Sequence, residues 1–179
     1  MCDPAVLTRL YLDVLTQRLG LPATSDPDSA LITFRAHDLT YVLAPRGADN
    51  PEGVRVELPI PAEVFDSLTN ASQQTVLQAL HTVNRTMFAA TVTLRDGYLV
   101  ARSDLLLAAP DTLPSPEMIT AVVPSACRTL LSAVIKFNTE LEFTIITSDP
   151  DLATTFTDRP TDRTPPDTGT QPGHHHPNL

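Results

Sequence analysis

Asp96-Gly97 divides two alternating runs in VNRTMFAATVTLRDGYLVARSDLLL, residues 83–107. No other feature restricts the fold as strongly. A two-residue type I′ turn needs positive φ at both positions, and Asp-Gly is a preferred pair for it. Before the turn, Phe88, Ala90, Val92 and Leu94 point one way and Met87, Ala89, Thr91 and Thr93 the other; Tyr98, Val100 and Arg102 continue the return strand. The stretch therefore predicts an antiparallel hairpin.

Three more strands are expected upstream. Ala30 to Arg35 is β-branched and aromatic, His37-Asp38 makes a turn, and Leu39, Tyr41 and Leu43 alternate with Thr40, Val42 and Ala44. After the turn-rich PRGADNPEG, Val54, Val56 and Leu58 alternate with Arg55 and Glu57, and Pro59 and Pro61 are expected to stop that strand. The loops are too short for parallel crossovers, so the three form an antiparallel meander. Residues 21–29 read as a loop.

Helices complete the pattern. Asp3-Pro4 reads as an N-cap followed by proline at the first helical position, and Val6, Leu7, Leu10, Tyr11, Val14 and Leu15 recur at helical spacing up to Gly20. Val76, Leu77, Leu80 and Val83 give a second helix over roughly 71–84, with Asn84 as its C-cap. From Ser115-Pro116-Glu117 a helical stripe runs through Ile119, Val123, Leu130, Val134, Phe137 and Leu141; Pro124 inside it predicts a kink or two helices. Residues 142–148 fit either a last strand or a fraying helix end. From Pro150 the chain holds six Pro and seven Thr with few apolar residues, so 150–179 reads as a disordered tail on a domain spanning 1–149. The expected order is α-βββ-α-ββ-α, an α+β fold with helices against a twisted antiparallel sheet.

Charge and chemistry narrow the function. With 21 acidic against 12 basic residues the net charge is -9, which disfavours a nucleic acid partner, since phosphate binding relies on clustered Lys and Arg. Trp is absent and aromatics are few, so a stacking platform is not expected. The N-terminus has no basic segment followed by an apolar one, and no apolar run reaches the ~18 residues of a membrane span. A cytoplasmic protein is expected. Arg outnumbers Lys eleven to one, a bias that suggests a GC-rich bacterial source.

No catalytic, cofactor or metal site is expected. The six glycines form no phosphate-binding motif. Ser103 and Ser125 lack a nearby His, His81 sits on the second helix beside Leu80 and reads as a boundary residue rather than a base, and His37 is a turn residue. His174, His175 and His176 could bind a metal adventitiously, without the i, i+4 spacing of a helical zinc site. Cys127 reads as a buried thiol, with a bridge to Cys2 left open. Arg102 and Asp104 share a strand face and are expected to pair on the surface. A cleft gathering His37, Asp38 and Arg102 would point to an enzyme. Asn70-Ala71-Ser72 and Asn84-Arg85-Thr86 match the glycosylation pattern, which means little without a secretory signal.

The stretch LHTVNRTMFAATVTLRDGYLVARSDLLL resembles the YbjN-type family: a helix ending in Val83-Asn84, a strand from Phe88 to Leu94, the Asp96-Gly97 turn, and a strand from Leu99 to Asp104. LYLDVLTQRLGLPA resembles that family's opening helix. The resemblance implies the fold of type III secretion chaperones, a non-enzymatic module that holds a protein or peptide client against its sheet and helices, and a homodimer. It assigns no peptide-binding residues. The alternative it leaves is a sensory, stress-regulatory or structural domain of the same fold.

Overall fold

In a computed structural model, residues 4–26, 28–46, 50, 52–109 and 112–148 are described. The expected tail, Cys2, Asp3 and His174–His176 lie outside them.

Helix α1 (Pro4–Asp13) continues into a π-helical turn, Val14–Arg18, and Gly20 at φ +64 ends it. Next come strands β1 (Ala23–Ser25), β2 (Ile32–Ala36), β3 (Leu39–Pro45) and β4 (Gly53–Pro61). A 3-10 turn (Ala62–Val64), the short helix α2 (Asp66–Asn70) and helix α3 (Gln73–Thr86) follow. The hairpin β5 (Thr91–Arg95) and β6 (Tyr98–Leu106) leads to helix α4 (Pro116–Ser148). The strands form one antiparallel sheet in the order β1-β2-β3-β4-β6-β5.

Both two-residue turns expected from sequence are present. Asp96 and Gly97 have φ +51 and +78, and His37 and Asp38 have φ +51 and +61. The hairpin alternation is also present, with two exceptions on the side of Val92: Phe88 precedes β5 and is fully exposed, and Leu94 is 43% exposed.

Several expectations need correction. The sheet has six strands, because Ala23–Ser25, read as loop, pairs with Ile32–Phe34. Pro59 and Pro61 do not stop β4; they pair with Val100 and Tyr98, while the ladder with β3 ends at Glu57, so their missing N–H groups break no bond on that side. The second helix begins at Gln73, where the Ser72 hydroxyl accepts from the Thr75 amide at 3.2 Å. Pro124 neither splits nor ends α4, which runs 33 residues and includes 142–148. Proline inside a helix costs about 3 kcal/mol, but Ile119, Val123, Cys127, Leu130, Val134, Phe137 and Leu141 are buried on both sides of it. That continuous packing outweighs one missing hydrogen bond.

By length and composition α4 could cross a bilayer, contrary to the sequence expectation. Its apolar stripe instead packs on the inner face of the sheet, against Tyr41, Leu43, Val54, Val56, Leu58 and Leu99. Phe34 and Tyr41, directly opposite in register, stack with ring centroids 5.4 Å apart. The helices cover this face alone, and the opposite face of the sheet carries the outward side chains.

Candidate protein-binding surfaces

An antiparallel sheet has two edges, and each edge strand presents backbone groups that a further strand can pair with. Here the two edges differ. At the β5 edge, Asn84 Nδ2 donates to the Val92 carbonyl at 2.8 Å, and the Val92 amide donates to Asn84 Oδ1 at 2.7 Å. The side-chain amide of α3 thus takes the place of a neighbouring strand. Asn84 lies inside α3, not at its C-cap as expected, and Met87 holds that place. Ser103, weighed as a nucleophile, is buried and donates to the Ala89 carbonyl at 2.7 Å, which steadies the approach to β5.

At the other edge, the Arg35 amide donates to the Pro22 carbonyl at 3.0 Å and the Asp26 amide to the Leu31 carbonyl at 2.8 Å. Those bonds turn Pro22, Thr24 and Asp26 toward β2. The alternate residues, Ala23 and Ser25, aim their N–H and C=O groups outward. No backbone bond from another segment reaches them among the described residues. Beside this edge lies a hollow of about 640 Å³ whose lining includes Leu21, Pro22, Ala23 and Phe34. Sequence reading missed both residues, since a three-residue strand shows no alternation and only Thr24 favours one.

The outward face of the sheet is mixed. Asp104 does not pair with Arg102 as expected. It pairs with Arg55, directly opposite on β4, at 2.9 Å and with Arg46 at 2.6 Å. Two residues apart on one strand they share a face, but the cross-strand neighbour is closer. Burial acts to raise the Asp104 carboxyl, yet hydrogen bonds from Arg55 and Arg46 hold it below the ordinary aspartate value. The Arg55 guanidinium is held above its usual value, chiefly by its hydrogen bond to Asp104. Arg102 stands opposite Glu57 and Thr91 and makes no ion pair among the described residues.

The remaining candidates are scattered. His37 and Asp38 form the β2–β3 turn, while Arg102 lies on β6, beyond β4. His81 and Ser125 are exposed on helices. Cys127 is a free, buried thiol pushed up to about 11 by desolvation, so little of it is the reactive thiolate near neutral pH. Among the described residues no group of His, Cys, Asp and Glu is placed to hold a metal ion.

The fold is shared with a chain of a solved chaperone–effector complex. A chain in the structure of the HopA1–SchA chaperone–effector complex superposes with a TM-score of 0.52 at 13% identity, covering 78% of this chain and 99% of that one. The chain has a secretion-chaperone-like fold. No family model and no curated protein matches it, so the YbjN-type resemblance rests on the residues quoted from the sequence.

Proposed function

We propose that this protein is a non-enzymatic, chaperone-like module that holds an extended segment of a client protein along its β1 edge. The observation that carries the reading is the contrast between the edges: Ala23 and Ser25 face outward beside a hollow of about 640 Å³, while Asn84 occupies the Val92 position at the far edge. A strand added at β1 gains main-chain hydrogen bonds, and the hollow beside it receives alternate side chains for selectivity. Likeness to a chain of a chaperone–effector complex supports a protein client.

Two finer features belong to the same proposal. The protein acts in the cytoplasm, where its acidic surface keeps it apart from nucleic acid. It also works as a homodimer, with Leu77 on α3, Phe88 just before β5 and Leu94 on β5 as the apolar residues that a second copy covers. These are 57%, 102% and 43% exposed, and a second copy would take that apolar area out of water.

The edge is tested by Ser25→Pro. This change removes an outward N–H and leaves every bond to β2 in place. Full-length wild type and variant, each expressed in the native cell, are cross-linked and digested. The proposal expects cross-links from one reproducible partner to residues 21–26 in the wild type and their loss in the variant. Equal recovery of the same partner by both chains overturns it.

A further inference from the structure

The outward face of the sheet stands apart from the rest of this acidic chain. Arg35, Arg46, Arg55, Arg95 and Arg102 lie on it or at its rim, five of the chain's 12 basic residues, against Glu57, Asp104 and the turn residues Asp38 and Asp96. The face is locally basic on a molecule of net charge -9.

Its acids are already engaged. Asp104 is held by Arg46 and Arg55, and Glu57 leans toward Arg55 at 3.9 Å. Arg102, half-buried, has neither as a partner, and Arg35 has none among the described residues. Arg95 reaches only its exposed neighbour Asp96, at 3.1 Å. A half-buried guanidinium without a counter-ion retains most of its capacity for a bidentate carboxylate.

The cations border apolar ground. Pro59 pairs with Val100 and Pro61 with Tyr98 in register, and Val42 lies one step along β3 beside Glu57. Tyr98 is 46% exposed. Pro59, Tyr98, Val100, Arg95 and Arg102 line a depression of about 450 Å³.

We propose that this face docks an extended segment of a partner protein in which carboxylates and apolar residues alternate at every second position, the apolar side chains on Pro59, Val100 and Tyr98 and the carboxylates on Arg95 and Arg102. Every second side chain of an extended segment faces the sheet, so both kinds belong on one side of the segment, with the intervening residues turned to solvent. A polyanion such as nucleic acid fits less well: two of the five arginines are tied to Asp104, Tyr98 is the one aromatic among these face residues, and the surrounding negative charge opposes a long phosphate chain. The surface is separate from the β1 edge, and Ser25→Pro leaves it intact, so the two readings fail independently.

Fluorescence anisotropy of the full chain with short labelled peptides tests the proposal. The probes are a peptide of about eight residues that repeats Glu-Ser-Val-Ser (Glu–Val), its Gln–Val and Lys–Val counterparts with Gln or Lys in place of Glu, and single-stranded oligothymidine. The Glu–Val peptide is expected to bind at least about tenfold more tightly than Gln–Val, with the difference shrinking as salt rises from about 0.05 to about 0.5 M. Arg95→Gln with Arg102→Gln is expected to weaken it by at least about fivefold. Arg102→Lys is expected to retain part of the binding, and Arg128→Gln, on the exposed side of α4, to change nothing. Equal binding of Glu–Val and Gln–Val, no binding of either, tighter binding of oligothymidine, or indifference to the double variant overturns the proposal. So does a double variant that sediments as a smaller species than wild type, since a second copy then covers the face.

Discussion

Asn84 and Val92 exchange two hydrogen bonds, 2.8 and 2.7 Å, between a side-chain amide on α3 and the backbone of the edge strand β5. The pair fastens helix to sheet and closes an edge that would otherwise accept a strand. Asn84 is exposed and the two bonds are half-buried, so their loss costs about 0.5–1.5 kcal/mol. Asn84→Ala is therefore expected to lower stability by that amount in urea unfolding and to speed exchange of the Val92 amide. A variant with unchanged midpoint and unchanged exchange would remove the pair from the account.

Asp104 gives a pH signature. Its folded pKa is depressed by Arg55 and Arg46 despite the opposing effect of burial. A depressed carboxyl stabilises the fold above its unfolded pKa, about 3.9, and that contribution is lost as pH falls through the folded value. Its side chain is 37% exposed, so screening limits the contribution to about 1 kcal/mol or less. Asp104→Asn is expected to be less stable than wild type near neutral pH by up to that amount, with the gap closing as pH falls below the ordinary aspartate range. A gap that widens on acidification contradicts the assignment.

Tyr11 is fully buried, and its hydroxyl meets no hydrogen-bond partner among the described residues. Burial pushes its phenol well above the ordinary tyrosine range. Replacing an unsatisfied buried polar group by an apolar one of the same shape is neutral or favourable. Tyr11→Phe is expected to leave the urea midpoint unchanged or raise stability by up to about 1 kcal/mol. A loss of more than about 1 kcal/mol would mean that the hydroxyl has a partner.

The sequence was most legible where local chemistry decides the backbone. Asp96-Gly97 and His37-Asp38 both sit at positive φ as their turn positions require, and alternation in Val54–Leu58 gave the buried side of β4. It was least legible where a distant segment decides. Asn84 looks like a C-cap until α3 is known to run beside β5. Asp104 looks like a partner for Arg102 until the register sets Arg55 opposite it. Pro59, Pro61 and Pro124 carry strong local rules, and each was overridden by its neighbours: a ladder already ended, or a stripe buried on both sides.

Phe88 is the most exposed large apolar residue described, at 102%. If a second copy covers it, Phe88→Ser is expected to shift sedimentation equilibrium from dimer toward monomer while circular dichroism stays unchanged. A wild-type chain that is monomeric across the concentration range contradicts the homodimer.

The most direct test of client holding at the β1 edge is residue-resolved hydrogen exchange of the full chain, alone and with its cross-linked partner. The account predicts that the Ala23 and Ser25 amides gain protection with the partner bound, while Val92, already bonded to Asn84, changes little. Unchanged exchange at Ala23 and Ser25 with the partner bound would contradict it.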